Sequence, residues 1–400
     1  MSYKNRVNFK PLSEFIKRVN IKNKDGKVSE LKGINIDKFF MPSVANVVGT
    51  DLTRYKVVKP QQFACNRMHV GRDYRLPIAV SKFDKNIIVS PAYDVFEIID
   101  TNKLNPEYLM MWFSRSEFDR NCWFYTDTDV RGKLGWDSFC EIELPIPSIE
   151  KQNEIVKEYN IVINRIKLNE QLNQKLEKTA QALYKYWFVD FEFPNKEGKP
   201  YKSSDGEMVY NEELDKEIPV GWEVKTFSDV AEISAGGDKP RVFSGFKTKE
   251  CHVPIFSNGV TEEGLYGFTN VAKILKNSIT ISARGTIGYT VLRNEPFVPI
   301  VRLIVLTPKN ENHTSYIFKY IENFDFNSSG SVQKQLTKPD LSVLKILVPK
   351  FSLLNLFESQ FNSIKKETIK RKQEIELLNE FESIILAKMT KVEVEKEMIN

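Results

Sequence analysis

Residues 63–75 (FACNRMHVGRDYR) combine arginine, asparagine, histidine and aromatic side chains without the periodicity of a helix or a strand. Arginine binds phosphates and guanine edges, and amide or imidazole groups bind other base edges, so such a loop suits a DNA groove. An ordinary polar surface loop would have a similar composition. The sequence alone leaves both interpretations open.

Both halves of the chain contain candidate DNA-contacting residues of this chemistry. In the first half they are Asn66, Arg67, His69, Arg72 and Arg75, followed by Arg131 and Lys133. In the second half they are Lys239, Arg241, Ser257, Asn258, Arg284, Gln333 and Lys334. Each of them could instead be a solvated surface residue or part of a turn. Arg284 has a further alternative, because the surrounding Ala-Arg-Gly-Thr-Ile-Gly could be a turn that holds the fold.

Motifs for catalysis or metal binding are weak. An amino-methyltransferase requires an Asn-Pro-Pro-aromatic or Asp-Pro-Pro-aromatic loop, but residues 105–108 read NPEY, which we interpret as a helix start. The glycine-rich segment 234–241 lacks the P-loop and dinucleotide patterns. The three histidines and four cysteines lack metal-ligand spacing. We predict no catalytic and no metal site, and a self-contained DNA-modifying enzyme is a disfavoured alternative.

Composition sets outer limits on the fold and the compartment. The 400 residues allow two or three domains with a substantial core. A formal net charge of +5 permits nucleic-acid binding without requiring it. The first residues lack the apolar segment of a signal peptide, and no apolar run has the length of a membrane span. We therefore expect a cytoplasmic protein.

Two long segments without glycine or proline, 150–193 and 353–388, predict long helices. Apolar residues in the first segment recur with coiled-coil spacing, apart from an apparent register shift near Asn169. In the second segment, Phe381 is placed on the apolar face with Ile375 and Leu378. A helix this long needs a partner along its length, so we predict that the two helices pair.

The chain also repeats itself at an offset of 202 residues, which aligns 130–134 (VRGKL) with 332–336 (VQKQL). Each half reads as a mixed globular region, a proline-marked exit strand and a long helix. The predicted fold is thus α+β, with two globular domains, two long antiparallel coiled-coil helices and a pseudo-two-fold internal repeat. Local patterns further predict a short helix over 12–19 and one over 106–118.

Five motifs resemble the specificity (S) subunits of type I restriction–modification systems. They are LYKYWFVDF at 183–191, YKSSDGEMV at 201–209, IPVGW at 218–222, SARGTIG at 282–288 and GSVQKQL at 330–336. The resemblance covers nearly the whole chain. One departure is that the first half begins without its own Pro-x-Gly-Trp opening. Because the internal motifs of the halves also differ, the two halves should read different DNA sequences.

The resemblance implies a domain order of recognition domain 1 (1–149), central helix (150–193), linker (194–218), recognition domain 2 (219–349) and distal helix (350–392). It implies a non-catalytic subunit that reads a bipartite site in double-stranded DNA and assembles with two methyltransferase (modification) subunits. Two restriction (motor-nuclease) subunits can join them. S-adenosylmethionine, ATP and magnesium are expected on those partners, not on this chain. A coiled-coil scaffold without a DNA role is the remaining alternative.

Overall fold

The computed structural model describes residues 9–43, 49–68, 70–126, 132–326 and 335–389. They belong to two compact units. The first unit contains the chain up to Asn169 together with the segment from Gln373 onward, and the second contains Glu170–Lys372. Within the described ranges, no helix is both long and apolar enough to cross a membrane.

The first unit is built on a four-stranded antiparallel sheet with the strand order β2-β9-β6-β7. Three two-stranded pairs, β1-β10, β3-β4 and β5-β8, accompany it. Its strands are β1 Phe9–Pro11, β2 Ile16–Val19, β3 Lys32–Ile34, β4 Phe40–Pro42, β5 Lys56–Val58, β6 Phe63–Cys65, β7 Ile78–Val80, β8 Ile87–Val89, β9 Asp94–Ile98 and β10 Glu143–Pro145. Its short helices are α1 Val70–Asp73, α2 Pro106–Phe113, α3 Ser116–Phe124 and α4 Trp136–Cys140.

Two predicted helices of this unit need correction. Residues 12–19 form a 3-10 turn over Leu12–Glu14 and then β2, because sheet pairing with β9 overrides the weak local preference for a helix. The helix predicted over 106–118 is interrupted between α2 and α3. There Arg115 has an extended backbone, with φ −79° and ψ 144°, and starts a new helix.

Two long helices run through the chain. Helix α5 spans Ile149–Tyr184 and continues as a π-helical turn over Lys185–Val189, and helix α9 spans Phe351–Lys388. Both helices contribute residues to both units.

In the first unit, the Tyr159 hydroxyl donates to Glu382 at 2.8 Å and the Arg165 Nε atom lies 2.6 Å from Glu374. In the second unit, the rings of Tyr184 and Phe357 lie 6.5 Å apart. In the first unit residue numbers rise along α5 as they fall along α9, and the contact in the second unit continues that order, so the predicted antiparallel pairing is confirmed.

The predicted register shift near Asn169 is wrong. Asn169 is fully buried, and the inward-facing series runs through it at an unbroken spacing of three and four residues, over Ile155, Tyr159, Val162, Ile166, Asn169, Asn173, Leu176 and Ala180. The buried position is simply occupied by a polar residue, which hid the continuity of the stripe. Phe381 also differs from its prediction, because its side chain is exposed.

The second unit contains a four-stranded sheet with the order β14-β20-β17-β18 and a three-stranded sheet with the order β16-β15-β19. Its strands are β11 Met208–Asn211, β12 Lys216–Pro219, β13 Glu223–Thr226, β14 Ala231–Ala235, β15 Val253–Phe256, β16 Leu265–Thr269, β17 Ser278–Ser282, β18 Thr290–Arg293, β19 Val298–Pro299, β20 Leu303–Pro308 and β21 Lys345–Val348. Its short helices are α6 Phe227–Val230, α7 Thr314–Glu322 and α8 Lys338–Val343. The predicted linker contains the hairpin β11-β12, and the Tyr201 ring stacks on Phe193 at 4.5 Å.

The two units have corresponding strand orders, which confirms the predicted repeat. Strand order β2-β9-β6-β7 in the first unit corresponds to β14-β20-β17-β18 in the second, and the pair β1-β10 corresponds to β13-β21. A buried tyrosine in each unit donates its hydroxyl to a carbonyl of the exit strand. Tyr108 donates to Pro145 at 3.2 Å, and Tyr316 donates to Leu347. Burial raises the pKa of Tyr108 to about 12 and raises the pKa of Tyr316 well above its ordinary value, so both hydroxyls keep their protons at neutral pH.

Candidate nucleic-acid interface

In the first unit, two segments meet at the end of strand β6. The loop after Cys65 lies against residues 132–134, with the Gly71 amide donating to the Gly132 carbonyl at 2.8 Å. The Leu134 amide in turn donates to the Arg67 carbonyl at 3.0 Å. A Cβ atom on Gly71 would lie 2.6 Å from the Gly132 Cα atom, so this close approach requires glycine. The structure therefore brings the two predicted basic segments of this half together.

Arg67 is buried beneath this loop, and its predicted role as a base reader is corrected. Only 5% of the residue is exposed. Its Nε atom donates to Asp94 at 2.8 Å, and its guanidinium also donates to the Leu134 carbonyl. Because these groups already donate hydrogen bonds within the unit and the side chain is shielded from solvent, Arg67 positions the loop and does not face a base edge. Arg18 donates to the same Asp94 carboxylate.

Other predicted residues of this half lie on the accessible side of the loop. Arg72 is exposed and pairs with Asp73 at 2.7 Å. Arg75 is half-exposed, with its guanidinium 2.9 Å from Asp37. Exposed ion pairs of this kind contribute little stability, so both guanidiniums remain available to an incoming phosphate. Lys133 is exposed beside the loop.

Asn66 has a different role from that of its exposed neighbours. It is half-buried, and its side-chain oxygen accepts the Met68 amide at 3.2 Å, which shapes the start of the loop.

The first turn of helix α3 is fixed against the same loop by a buried carboxylate. Asp119 accepts the Leu76 amide at 3.0 Å and binds the Lys38 Nζ atom at 2.7 Å. Lys38 also donates to the Phe113 carbonyl. Burial lowers the pKa of Lys38, while the charge of Asp119 opposes that shift. These contacts tie residues 70–76 to α3 and hold both segments at one edge of the unit.

Four aromatic side chains lie exposed at this edge, and the sequence analysis did not select them. They are Tyr74 on the loop and Trp123, Phe124 and Tyr125 at the end of α3. The Tyr74 and Trp123 rings lie 5.5 Å apart. A run of three consecutive aromatic residues beside a basic loop was the sequence signal that could have identified them.

In the second unit, the loops after β14 and β17 leave the same end of their sheet. Both strands pair with the start of β20, and the Gly236 amide donates to Leu303 at 2.7 Å while the Ala283 amide donates to Arg302 at 2.9 Å. Three predicted cations on these loops, Lys239, Arg241 and Arg284, are exposed. The Lys239 Nζ atom lies 3.4 Å from the centre of the Phe243 ring.

Ser257 and Asn258 are half-buried residues that directly follow strand β15. The Asn258 side-chain amide donates to the Arg284 carbonyl at 2.8 Å, and the Ser257 amide donates to Gly264 at 2.8 Å. Asn258 therefore holds the turn from which Arg284 projects. The turn around Arg284 thus serves the fold, and its side chain still faces solvent.

The main-chain hydrogen bond between the loop and the segment before the exit strand recurs in the second unit. The Leu336 amide donates to the Ala283 carbonyl at 2.9 Å, as the Leu134 amide donates to Arg67 in the first unit. Each candidate reading loop is thus attached to the segment that precedes its exit strand.

Four predicted residues, His69, Arg131, Gln333 and Lys334, lie outside the described residues.

The sequence analysis also missed Arg293, which is buried over the Phe256 ring at 3.6 Å and donates to Thr280 at 3.1 Å. Burial lowers its pKa to about 10, so it stays charged at neutral pH and serves the core. In the part of the chain that the structure describes, no cluster of three His, Cys, Asp or Glu side chains could hold a metal ion.

The model of the type I restriction modification DNA specificity domain matches residues 74–178 and 219–377, which together make up more than half of the chain. The chain belongs to this family. The family assignment confirms the resemblance seen in the sequence and the predicted role in DNA recognition. The two matched ranges correspond to the two repeated halves.

Two relatives that match most of this chain are type I specificity subunits. The MjaIX specificity subunit of Methanocaldococcus jannaschii is 26% identical over 333 residues, covering 79% of this chain and 75% of that protein. The HindI specificity subunit of Haemophilus influenzae is 23% identical over 430 residues, covering 90% and 92%. The crystal structure of the type I S subunit from M. genitalium matches with a TM-score of 0.58 at 15% identity, covering 97% and 98%. That likeness confirms the fold class.

Proposed function

We propose that this chain reads a bipartite site in double-stranded DNA, with one half-site for each unit, and positions adenine-methyltransferase subunits on it. The observation that carries the proposal is that each unit has a loop at the end of the corresponding strand of its four-stranded sheet. Both loops follow the central strand of a four-stranded sheet and are anchored by a leucine amide, at Leu134 and Leu336. Their exposed side chains differ, so the two units should recognise different bases.

The cations on these loops support a division of labour. In this proposal, phosphates are bound and the register on the duplex is set by Arg72, Arg75 and Lys133 in the first unit and by Lys239 and Arg241 in the second. Arg284 projects from a turn fixed by Asn258, which is the rigid support that a base-reading side chain needs. A bidentate arginine–guanine contact would contribute about 1–3 kcal/mol of discrimination.

The outer face of α9 supports the partner assignment. Leu377, Phe381 and Ile384 are exposed at positions i, i+4 and i+7, so they form one apolar stripe on the helix. Such a stripe suits an amphipathic helix of a partner. We assign it to a modification subunit, with two such subunits in the complex and optional restriction subunits. S-adenosylmethionine, ATP and magnesium would bind on those partners.

The reading assignment is tested by mapping methylated adenines in a host that expresses the chain with its modification subunit. We expect a split recognition site. Replacing 219–349 with the matching region of a relative should change one half-site and leave the other intact. A simultaneous change of both half-sites, or methyl transfer by the purified chain alone, would contradict the proposal.

The partner surface needs a separate test. Phe381→Asp should lower the amount of modification subunit that co-purifies with the chain, because it places a charge in an apolar contact. Glu380→Ala, an exposed neighbour on α9, is the matched control and should assemble normally. Normal assembly of Phe381→Asp would show that another surface recruits the partner.

A further inference from the structure

The aromatic patch of the first unit consists of Tyr74, Trp123, Phe124 and Tyr125. The Phe124 side chain is 77% exposed and Tyr74 is 62% exposed, although burial of such rings is strongly favourable. The opposite face of α3 is already occupied, because Phe118, Asp119 and Cys122 are buried. The patch is therefore extra apolar surface at the edge of the unit, and the core does not need it.

Backbone strain supports a role for this patch. Tyr74 has φ +56°, in the left-handed region that bulky residues rarely adopt. The Tyr74 amide donates to the Val70 carbonyl at 2.8 Å, which closes the turn and directs the ring outward beside Trp123. Two residues after Tyr74, the Leu76 amide donates to Asp119 at 3.0 Å, which fixes the loop on that side. A strained conformation that leaves a large aromatic residue in water indicates a functional contact.

The charges around the patch identify the kind of partner. Arg72 and Arg75 lie within two residues of Tyr74, and Lys133 follows Gly132, whose carbonyl accepts the Gly71 amide. Aromatic rings beside these cations suit a polyanion with apolar base faces, whose phosphates can replace the weakly held carboxylates of Asp73 and Asp37. Aromatic side chains that enter a groove partly unstack a base step and are read through the deformability of that step.

We propose that this aromatic patch packs against bases of the half-site read by the first unit and contributes affinity that does not depend on phosphate neutralisation. The inference rests on the proposed function, since it assumes that this unit binds DNA. It adds a second mode of reading, through the shape and flexibility of the duplex, to the polar contacts of the loop.

The second unit exposes different aromatic residues, since Phe246 is 74% exposed and Tyr266, whose ring lies 5.4 Å from the Lys239 Nζ atom, is 46% exposed. There the rings Phe324 and Phe326 contact each other at 4.8 Å and are half-buried. Phe326 also covers Gly288, where a Cβ atom would lie 2.6 Å from its ring. The contribution proposed for Phe124 concerns the first half-site alone.

The test uses the full chain in complex with its modification subunit and a duplex that carries the methylated site. Affinity is measured as a function of salt concentration for the unaltered chain, Phe124→Ala and Lys133→Ala. Phe124→Ala should weaken binding about tenfold to a hundredfold with an unchanged salt slope, because base–aromatic stacking releases no counterions. Lys133→Ala should instead reduce the slope by about one.

Ile99→Ala is the control for loss of an exposed apolar side chain. Ile99 follows β9 at the end of the sheet opposite to Cys65, so its binding curve should not change. Changing the first half-site should abolish the difference between Phe124→Ala and the unaltered chain, whereas changing the second should preserve it.

Binding by Phe124→Ala within twofold of the unaltered chain would overturn the inference while the proposed function stands. So would a failure of that variant to assemble with the modification subunit, which would show that the patch faces a protein. If the unaltered complex shows no sequence-specific binding, the proposed function itself fails. The three results are therefore distinguishable.

Discussion

Replacing Arg67 with methionine separates a residue that reads DNA from one that positions the reading loop. Arg67 is buried, donates to Asp94 at 2.8 Å and also bonds the Leu134 carbonyl. Arg67→Met leaves the buried Asp94 carboxylate with Arg18 as its remaining charged partner. Breaking a buried pair costs about 3–5 kcal/mol when the remaining charge has no partner, so with Arg18 still bound to Asp94 the first unit should lose at most that much stability.

The stability loss should carry over to DNA binding, because the loop loses the bond from the Arg67 guanidinium to the Leu134 carbonyl and keeps only the main-chain bond at Leu134. Denaturant unfolding of the chain measures the first effect, and methylation at the first half-site measures the second. The double variant Arg67→Met with Asp94→Leu removes both buried charges. It should recover most of the lost stability and part of the methylation.

Arg72→Met is the matched control, because this arginine is exposed and its loss should change stability by no more than about 0.5 kcal/mol. The opposite pattern would refute the reasoning. If Arg67→Met retained full stability but lost half-site specificity, and the double variant gave no rescue, Arg67 would be a direct base reader after all.

Three further changes test other features. Gly71→Ala should abolish methylation at the first half-site, because its Cβ would lie 2.6 Å from opposing backbone, whereas Gly33→Ala, with 3.8 Å to its nearest neighbour, should be tolerated; equal activity of the two would argue against the contact. Asn169→Leu should stabilise the chain by about 1–3 kcal/mol and raise its melting temperature, because a fully buried amide has no hydrogen-bond partner among the described residues; a lower melting temperature would contradict this. Inserting seven residues after Gln174 and after Lys366, which the antiparallel register places opposite each other, should lengthen the methylated site's spacer by about three base pairs, since a heptad adds about 10 Å of helix. An unchanged spacer with full activity would mean that the helices do not set it.

Regular patterns carried most of the fold prediction. Long segments without glycine or proline predicted α5 and α9, and the 202-residue offset predicted the repeat that the two sheets confirm. The short β2 strand was missed because its few residues gain their structure from pairing with β9, a contact that no local pattern encodes. The apparent shift at Asn169 arose because a polar residue occupies a buried position of the helix stripe.

The candidate site was predicted less completely, for a physical reason. Composition identified the loop around Arg67, but it could not distinguish a buried, ion-paired arginine from the exposed Arg72 five residues later. That difference depends on Asp94, which is distant in sequence. The aromatic patch was overlooked because an exposed Phe124 looks like a core residue until its surroundings are known.

The leucine anchors also bear on how new specificities can arise. Leu134 and Leu336 hold their loops through main-chain amides, and the acceptors are main-chain carbonyls of Arg67 and Ala283. Such bonds are indifferent to the side chains that the loop presents. A reading loop can therefore accumulate substitutions at its exposed positions while its attachment persists, so the evolution of a new target sequence need not pass through an unfolded intermediate.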